Sequence, residues 1–147
     1  MIIPEHIRRE IIQAGHIRFE FNSSTPEDKY LKNLEDLADL MMKYPGISLR
    51  LCGYADALGS ERYNFKLSMQ RAVSVKAYLS KQMDMSDRIT VLAFGEKDPV
   101  AINMNADGSD HPEGRSYNRR VEIMFDNVPD NMDIIKVIDI PEAVKLR

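Results

Sequence analysis

Tryptophan is absent from the 147 residues, and cysteine occurs once, at Cys52. A single thiol excludes an internal disulfide and any multi-cysteine metal centre. Lying in an apolar run with Leu49 and Leu51, Cys52 reads as a core residue. No run of about 18 apolar residues occurs, which excludes a membrane-spanning helix. Positive charge is not in excess: 20 Lys and Arg stand against 23 Asp and Glu, for a net charge of −3. A broad nucleic-acid surface needs a basic face, so no nucleic-acid partner is expected. His6, His16 and His111 show no metal-ligand spacing, and Asp107, Asp110 and Glu113 do not follow the calcium-loop pattern. No nucleophile–base pair and no phosphate-binding glycine fingerprint is found, so no cofactor is expected. The opening MIIPEHIRRE lacks the basic start, apolar run and small-residue cleavage site of a secretory signal. The chain is therefore expected to be either cytoplasmic or an excised piece of a longer protein.

What is present is enough for one domain with a real core. Residues 1–15 form a lead-in without a clear pattern. Ile17, Phe19 and Phe21 alternate with polar residues and predict a strand, stopped by Asn22-Ser23-Ser24-Thr25-Pro26. Thr25 and Pro26 then suit the start of a helix carrying Leu31, Leu34, Leu37, Ala38 and Met41 at helical spacing, ending before Pro45-Gly46. Ile47, Leu49 and Leu51 predict a second strand. Ser60 is the expected N-cap of a second helix with Leu67, Val75 and Leu79 on its core stripe. Ile89 to Phe94 predicts a third strand, residues 101–117 a long polar loop of functional interest, and Val121, Ile123 and Phe125 a fourth strand. The order βαβαβ-loop-β predicts an α/β (α+β) domain over residues 16–126, with two main helices on one face of a sheet. The apolar tail 127–147 either covers residues such as Leu92 and Phe94 or leads to a neighbouring domain.

The informative stretch is Gly53 to Val75. Asp56 sits in a glycine-bounded loop, and Asn64 and Arg71 follow on the helix, seven residues and thus about two turns apart. A carboxylate and a guanidinium presented together suit a zwitterion: the acid takes an ammonium and the arginine a carboxylate. The plainer alternatives are an Asp56 that bonds only its own loop and an Arg71 paired with a neighbouring acid. Strand parity places Arg119 in phase with Val121 and Ile123, hence site-related, and Arg120 in phase with Glu122, hence on a solvated face.

Four motifs in order carry a family resemblance: Gly53-Tyr54-Ala55-Asp56-Ala57-Leu58-Gly59, then Tyr63-Asn64 with Leu67-Ser68-Met69-Gln70-Arg71-Ala72, then Phe94-Gly95-Glu96-Lys97-Asp98-Pro99, then Gly114-Arg115-Ser116-Tyr117-Asn118-Arg119-Arg120-Val121-Glu122. From about Ile17 to Phe125 the chain resembles the OmpA-like domain shared by outer-membrane porin-type proteins, peptidoglycan-associated lipoproteins and flagellar stator proteins of Gram-negative bacteria. The resemblance implies non-covalent binding of peptidoglycan through the diaminopimelate of its stem peptide. It gives Asp56 the ligand's ammonium and Arg71 its carboxylate, with Asn64 shaping the pocket and Arg119 at its edge. Asn22 stands where the family often has aspartate, and Ala55 where it usually has threonine.

The expected function is thus a non-catalytic anchor of the outer membrane or an envelope protein to the cell wall, on the periplasmic side. Membrane attachment would come through a part of the full-length protein outside this chain, and envelope proteins are possible partners. A stator or assembly module, with wall binding secondary, is the alternative. A wall-acting enzyme is disfavoured, since one carboxylate beside a cation lacks the groups that cleave an amide or glycosidic bond.

Overall fold

The computed structural model describes residues 9–146; His6 and the first part of the lead-in lie outside them. In chain order the elements are β1 (Glu10–Ala14), β2 (Ile17–Arg18), α1 (Leu31–Lys43), β3 (Ser48–Gly53), α2 (Glu61–Leu79), β4 (Ile89–Ala93), α3 (Pro112–Asn118), β5 (Arg120–Asp126) and β6 (Met132–Lys136). Four strands make one sheet in the order β2-β5-β3-β4. β3 and β4 are parallel, and β5 runs antiparallel to both β2 and β3. The expected βαβαβ-loop-β order is therefore the observed one, with α1 and α2 as the crossovers. The core holds Phe19, Met41, Ile47, Leu49, Leu51, Val75, Leu79 and Val121, all fully buried. It draws on both helices and the sheet.

Three local expectations are corrected. The first helix does not start at Pro26. Pro26 instead bridges Phe19, and Glu27 donates its N–H to the Arg18 carbonyl at 3.3 Å. The chain thus stays extended beside the first strand, takes a 3-10 turn at Asp28–Tyr30, and becomes α-helical at Leu31. The polar segment 101–117 is not all loop, because α3 forms inside it. Pro112 occupies the first turn, and the His111 imidazole Nδ1 accepts from the Gly114 N–H at 3.0 Å. The tail pairs with the lead-in: β6 lies parallel to β1 from Glu10↔Met132 to Ala14↔Lys136. Arg9 holds Asp133 by two bonds of 2.7 and 2.6 Å, and Tyr44 donates its hydroxyl to the Glu10 carboxylate. Met132 and Val144 are buried, and the Val144 carbonyl accepts from the Ile102 N–H at 2.9 Å.

The helix that matters most begins as expected: the Ser60 hydroxyl accepts from the Tyr63 N–H at 3.1 Å. Its buried side carries Leu67, Ala72, Val75 and Leu79 together with the polar Asn64, Ser68 and Arg71. Helix and sheet approach unusually closely at Gly53, where an added Cβ would lie 1.9 Å from the Ser68 carbonyl oxygen. The Ser68 hydroxyl donates to the Phe65 carbonyl at 2.7 Å and accepts from the Gly95 N–H at 2.9 Å. This contact fixes α2 over the end of β3, where the candidate site lies.

Candidate functional site

The loop leaving β3 carries Asp56, which is 4% exposed. Its Oδ1 accepts from the Leu58 N–H at 2.9 Å. Its Oδ2 accepts from Arg119 Nη1 at 3.1 Å and from Arg115 Nη1 at 3.3 Å. Arg115 also takes the Asp110 carboxylate in a two-point contact at 2.7 and 2.8 Å, and this holds the Asp110 carboxyl below its ordinary range. Arg119 Nε is tied to the Phe19 carbonyl at 2.9 Å. The loop itself is braced by the Ala57 N–H donating to Asn103 Oδ1 at 3.1 Å and the Ala55 N–H to the Gly95 carbonyl at 2.7 Å.

Arg71 is fully buried. It donates to three main-chain carbonyls, Ser23 at 2.9 Å, Tyr54 at 3.1 Å and Glu20 at 3.3 Å. Its guanidinium carbon lies 5.4 Å from the centre of the Phe19 ring. Burial, helped by the positive charge of Arg119 and opposed by Asp56, pushes its pKa down to about 10. It therefore stays charged at neutral pH, with two of a guanidinium's five N–H groups left over. One turn-pair earlier, Asn64 is 1% exposed, and its Nδ2 has no hydrogen-bond partner among the described residues. A buried amide donor without a partner is uncommon and costly.

These groups surround a very small cleft of about 10 Å³, lined by Asn22, Ala55, Asp56, Asn64 and Arg71 with Phe21, Leu58 and Tyr63 at its sides. Asn22 has φ 57°, in the left-handed region that asparagine tolerates. Phe21, Leu58 and Tyr63 are exposed and form an apolar rim. Three guanidinium groups (Arg71, Arg115, Arg119) face two carboxylates (Asp56, Asp110), so the surroundings carry one surplus positive charge.

The fold thus gathers Asp56, Asn64, Arg71, Asn22 and Ala55 at one cleft, and Arg119 reaches it through Asp56. Asp56 and Arg71 form no ion pair with each other; carbonyls are the partners of Arg71. Arg120 is not on a solvated face. It is 1% exposed, donates to Glu122 at 2.7 Å and to the Asp98 carbonyl at 2.8 Å, and lies 3.8 Å from the Tyr54 ring centre. The cover over that face comes from distant parts of the chain, which strand parity does not register. Arg115 was missed, because it falls in the segment read as loop. The signal that finds it is Pro112 opening a short helix that carries Arg115, with Arg119 just past its end, four residues on.

Chemically, the cleft offers unused donors from Asn64 and Arg71 and a remaining acceptor direction on Asp56 Oδ1. Such a set grips a small charged group. The fold and this cleft define the class: an α/β domain with a small charged cleft at the mouth of a helix–sheet junction. The sequence profile of the OmpA family matches residues 18–113, and the chain belongs to that family. It is 38% identical over 78% of its length to a photosystem I P700 chlorophyll a apoprotein A2 of Gloeobacter violaceus, of which the match covers 13%. It is 35% identical over 79% of its length to a peptidoglycan-associated lipoprotein of Buchnera aphidicola, of which the match covers 64%. The chain therefore spans less than two thirds of either relative. Among solved structures, a peptidoglycan-associated lipoprotein from Burkholderia pseudomallei superposes with TM-score 0.68 at 23% identity, covering 76% of this chain and 89% of that one.

Proposed function

We propose that this domain is a non-catalytic anchor that binds peptidoglycan through the diaminopimelate of its stem peptide and moors an envelope protein to the cell wall, on the periplasmic side of the outer membrane. Family membership and the lipoprotein relative, a peptidoglycan-associated protein by name, support the wall as partner. The observation that carries the ligand choice is the buried, unpartnered Asn64 Nδ2 in the cleft that Arg71 lines. Both supply donors for a carboxylate, and Asp56 Oδ1 supplies the acceptor for an ammonium. The distal end of diaminopimelate carries both charges, whereas lysine ends in a bare ammonium. Lysine would leave the Asn64 and Arg71 donors facing an empty, desolvated place.

The test is a calorimetric titration of the two free stem peptides. Leaving such donors unpaired costs about 1–3 kcal/mol, so the diaminopimelate peptide should bind roughly tenfold to a hundredfold tighter. Equal dissociation constants would overturn the reading. The unmodified chain is the right subject for this experiment, because Arg71→Ala would also strip three main-chain carbonyls, that of the buried Tyr54 among them, of their donor and disturb the fold.

A further inference from the structure

A larger recess lies away from the Asp56 cleft. A cavity of about 400 Å³ runs into a second of about 220 Å³. The two share Gln13, Gly15, His16 and Asn33 and so form one groove. One wall is the chain from Ile12 to Ile17, which lines it residue after residue. Among the described residues β1 has β6 on one side and no strand on the other. Its bonds to β6 fall at alternate residues: the Glu10 N–H donates to the Asn131 carbonyl, and the Ala14 carbonyl accepts from the Val137 N–H, both at 2.7 Å. By the alternation of a parallel ladder, the N–H and C=O groups of Ile11 and Gln13 point to the open edge.

The opposite wall is α1, through Leu34, Leu37 and Leu40, and Ile123 and Phe125 make the floor. The far end is polar. There Arg18 Nε donates to the Tyr30 hydroxyl at 2.9 Å, and its guanidinium carbon sits 4.4 Å from the Tyr117 ring centre. These contacts fix its plane and leave its terminal NH₂ groups without a hydrogen bond among the described residues. Burial pushes His16 down to about 4, so at neutral pH Arg18 is the positive group lining the groove. Asp36 is occupied by Lys32 at 2.9 Å, and Asp139 stands on the polar lip, where it disfavours a second acid.

We propose that this groove binds an extended peptide, which adds as a strand to the open edge of β1, seats an apolar side chain between α1 and Phe125, and sets a carboxylate against Arg18. Strand addition supplies affinity through the main chain, and the two ends of the groove supply selectivity. The peptide does not compete with the Asp56 cleft, whose lining residues are different.

The test is a nitrogen-15 NMR titration of the full chain with the peptide acetyl-Thr-Val-Thr-Val-Thr-Leu as the free acid, with its C-terminal amide, and with decanoate. The acid should shift the amides of Ile11, Gln13 and His16 and slow hydrogen exchange at Ile11 and Gln13. Loss of a charge-assisted contact should leave the amide roughly tenfold or more weaker, and Arg18→Gln should bring the acid to the level of the amide. Four outcomes overturn the proposal: no shifts at millimolar peptide, equal binding of acid and amide, shifts confined to residues around Asp56, or decanoate shifting the same amides with no exchange protection from the peptide. The acid–amide comparison on the unmodified chain stands even if the variant fails to fold.

Discussion

Asn64 keeps an amide N–H out of water with no partner among the described residues, and a group in that state destabilises the free protein by about 1–3 kcal/mol. Its removal therefore has two opposing effects on stability, relief of the orphan donor and loss of packing. Asn64→Ala should change the unfolding free energy by no more than about 1 kcal/mol while weakening co-sedimentation with peptidoglycan, measured by urea denaturation and pull-down side by side. A large loss of stability would mean that Asn64 has a structural role instead. At this scale the sequence spoke clearly where local chemistry decides. Ser60 caps its helix, and Asp56, Asn64 and Arg71 meet at one cleft. It misled where the deciding neighbour is distant. Arg120 alternates like a surface residue but is covered by Tyr54 and the Asp98 carbonyl. Arg71 also donates to carbonyls from three places in the chain, which no local pattern announces.

The helix–sheet junction depends on Gly53. An added methyl there would collide with the Ser68 carbonyl, a backbone atom of α2 that cannot swing aside. Gly53→Ala should destabilise the domain by roughly 3 kcal/mol or more, read as a drop in Tm, and should weaken wall binding too, since α2 carries Asn64 and Arg71. Unchanged stability would show that α2 slides freely over β3. The body of α1 and the alternating strands β3 and β5 were legible because their apolar periods are clean. The pairing of β1 with β6 was not, because short strands at opposite ends of a chain carry no local signal of each other. The start of α1 was misplaced for a related reason: Thr25-Pro26 has the chemistry of a helix start, but the bridge of Pro26 to Phe19 keeps it extended.

For the molecule as a whole, pH dependence should fall into two windows. His16 has its pKa lowered by burial from 6.5 to about 4, partly opposed by Glu122. The unfolded chain then binds the extra proton first, so this stabilisation is complete above about pH 6.5 and is lost as pH falls toward 4, with a slope of at most about 1.4 kcal/mol per pH unit. Asp110, Asp126 and Asp133 are held low by their arginine partners, so their contributions fade only below about pH 4. Urea denaturation at pH 7 and pH 5 should show the loss, and His16→Gln should flatten it; an unaltered slope in the variant would assign it elsewhere. The pairing of β1 with β6 has a mechanical consequence. In the proposed anchoring role the domain would bear tension, and tension reaching it through the backbone at Arg9 would meet the Arg9–Asp133 pair and the Glu10–Asn131 bond first among the described residues. Pulled along its axis, β1 loads its five registered pairs together; pulled sideways, it opens them one by one from Glu10. Each residue freed lengthens the tether by roughly 3.4 Å while the four-stranded sheet and its cleft stay intact. In optical-tweezer traces this strand would yield first, as a short reversible extension, and in the proposed role it would act as a shock absorber between the load and the bound partner.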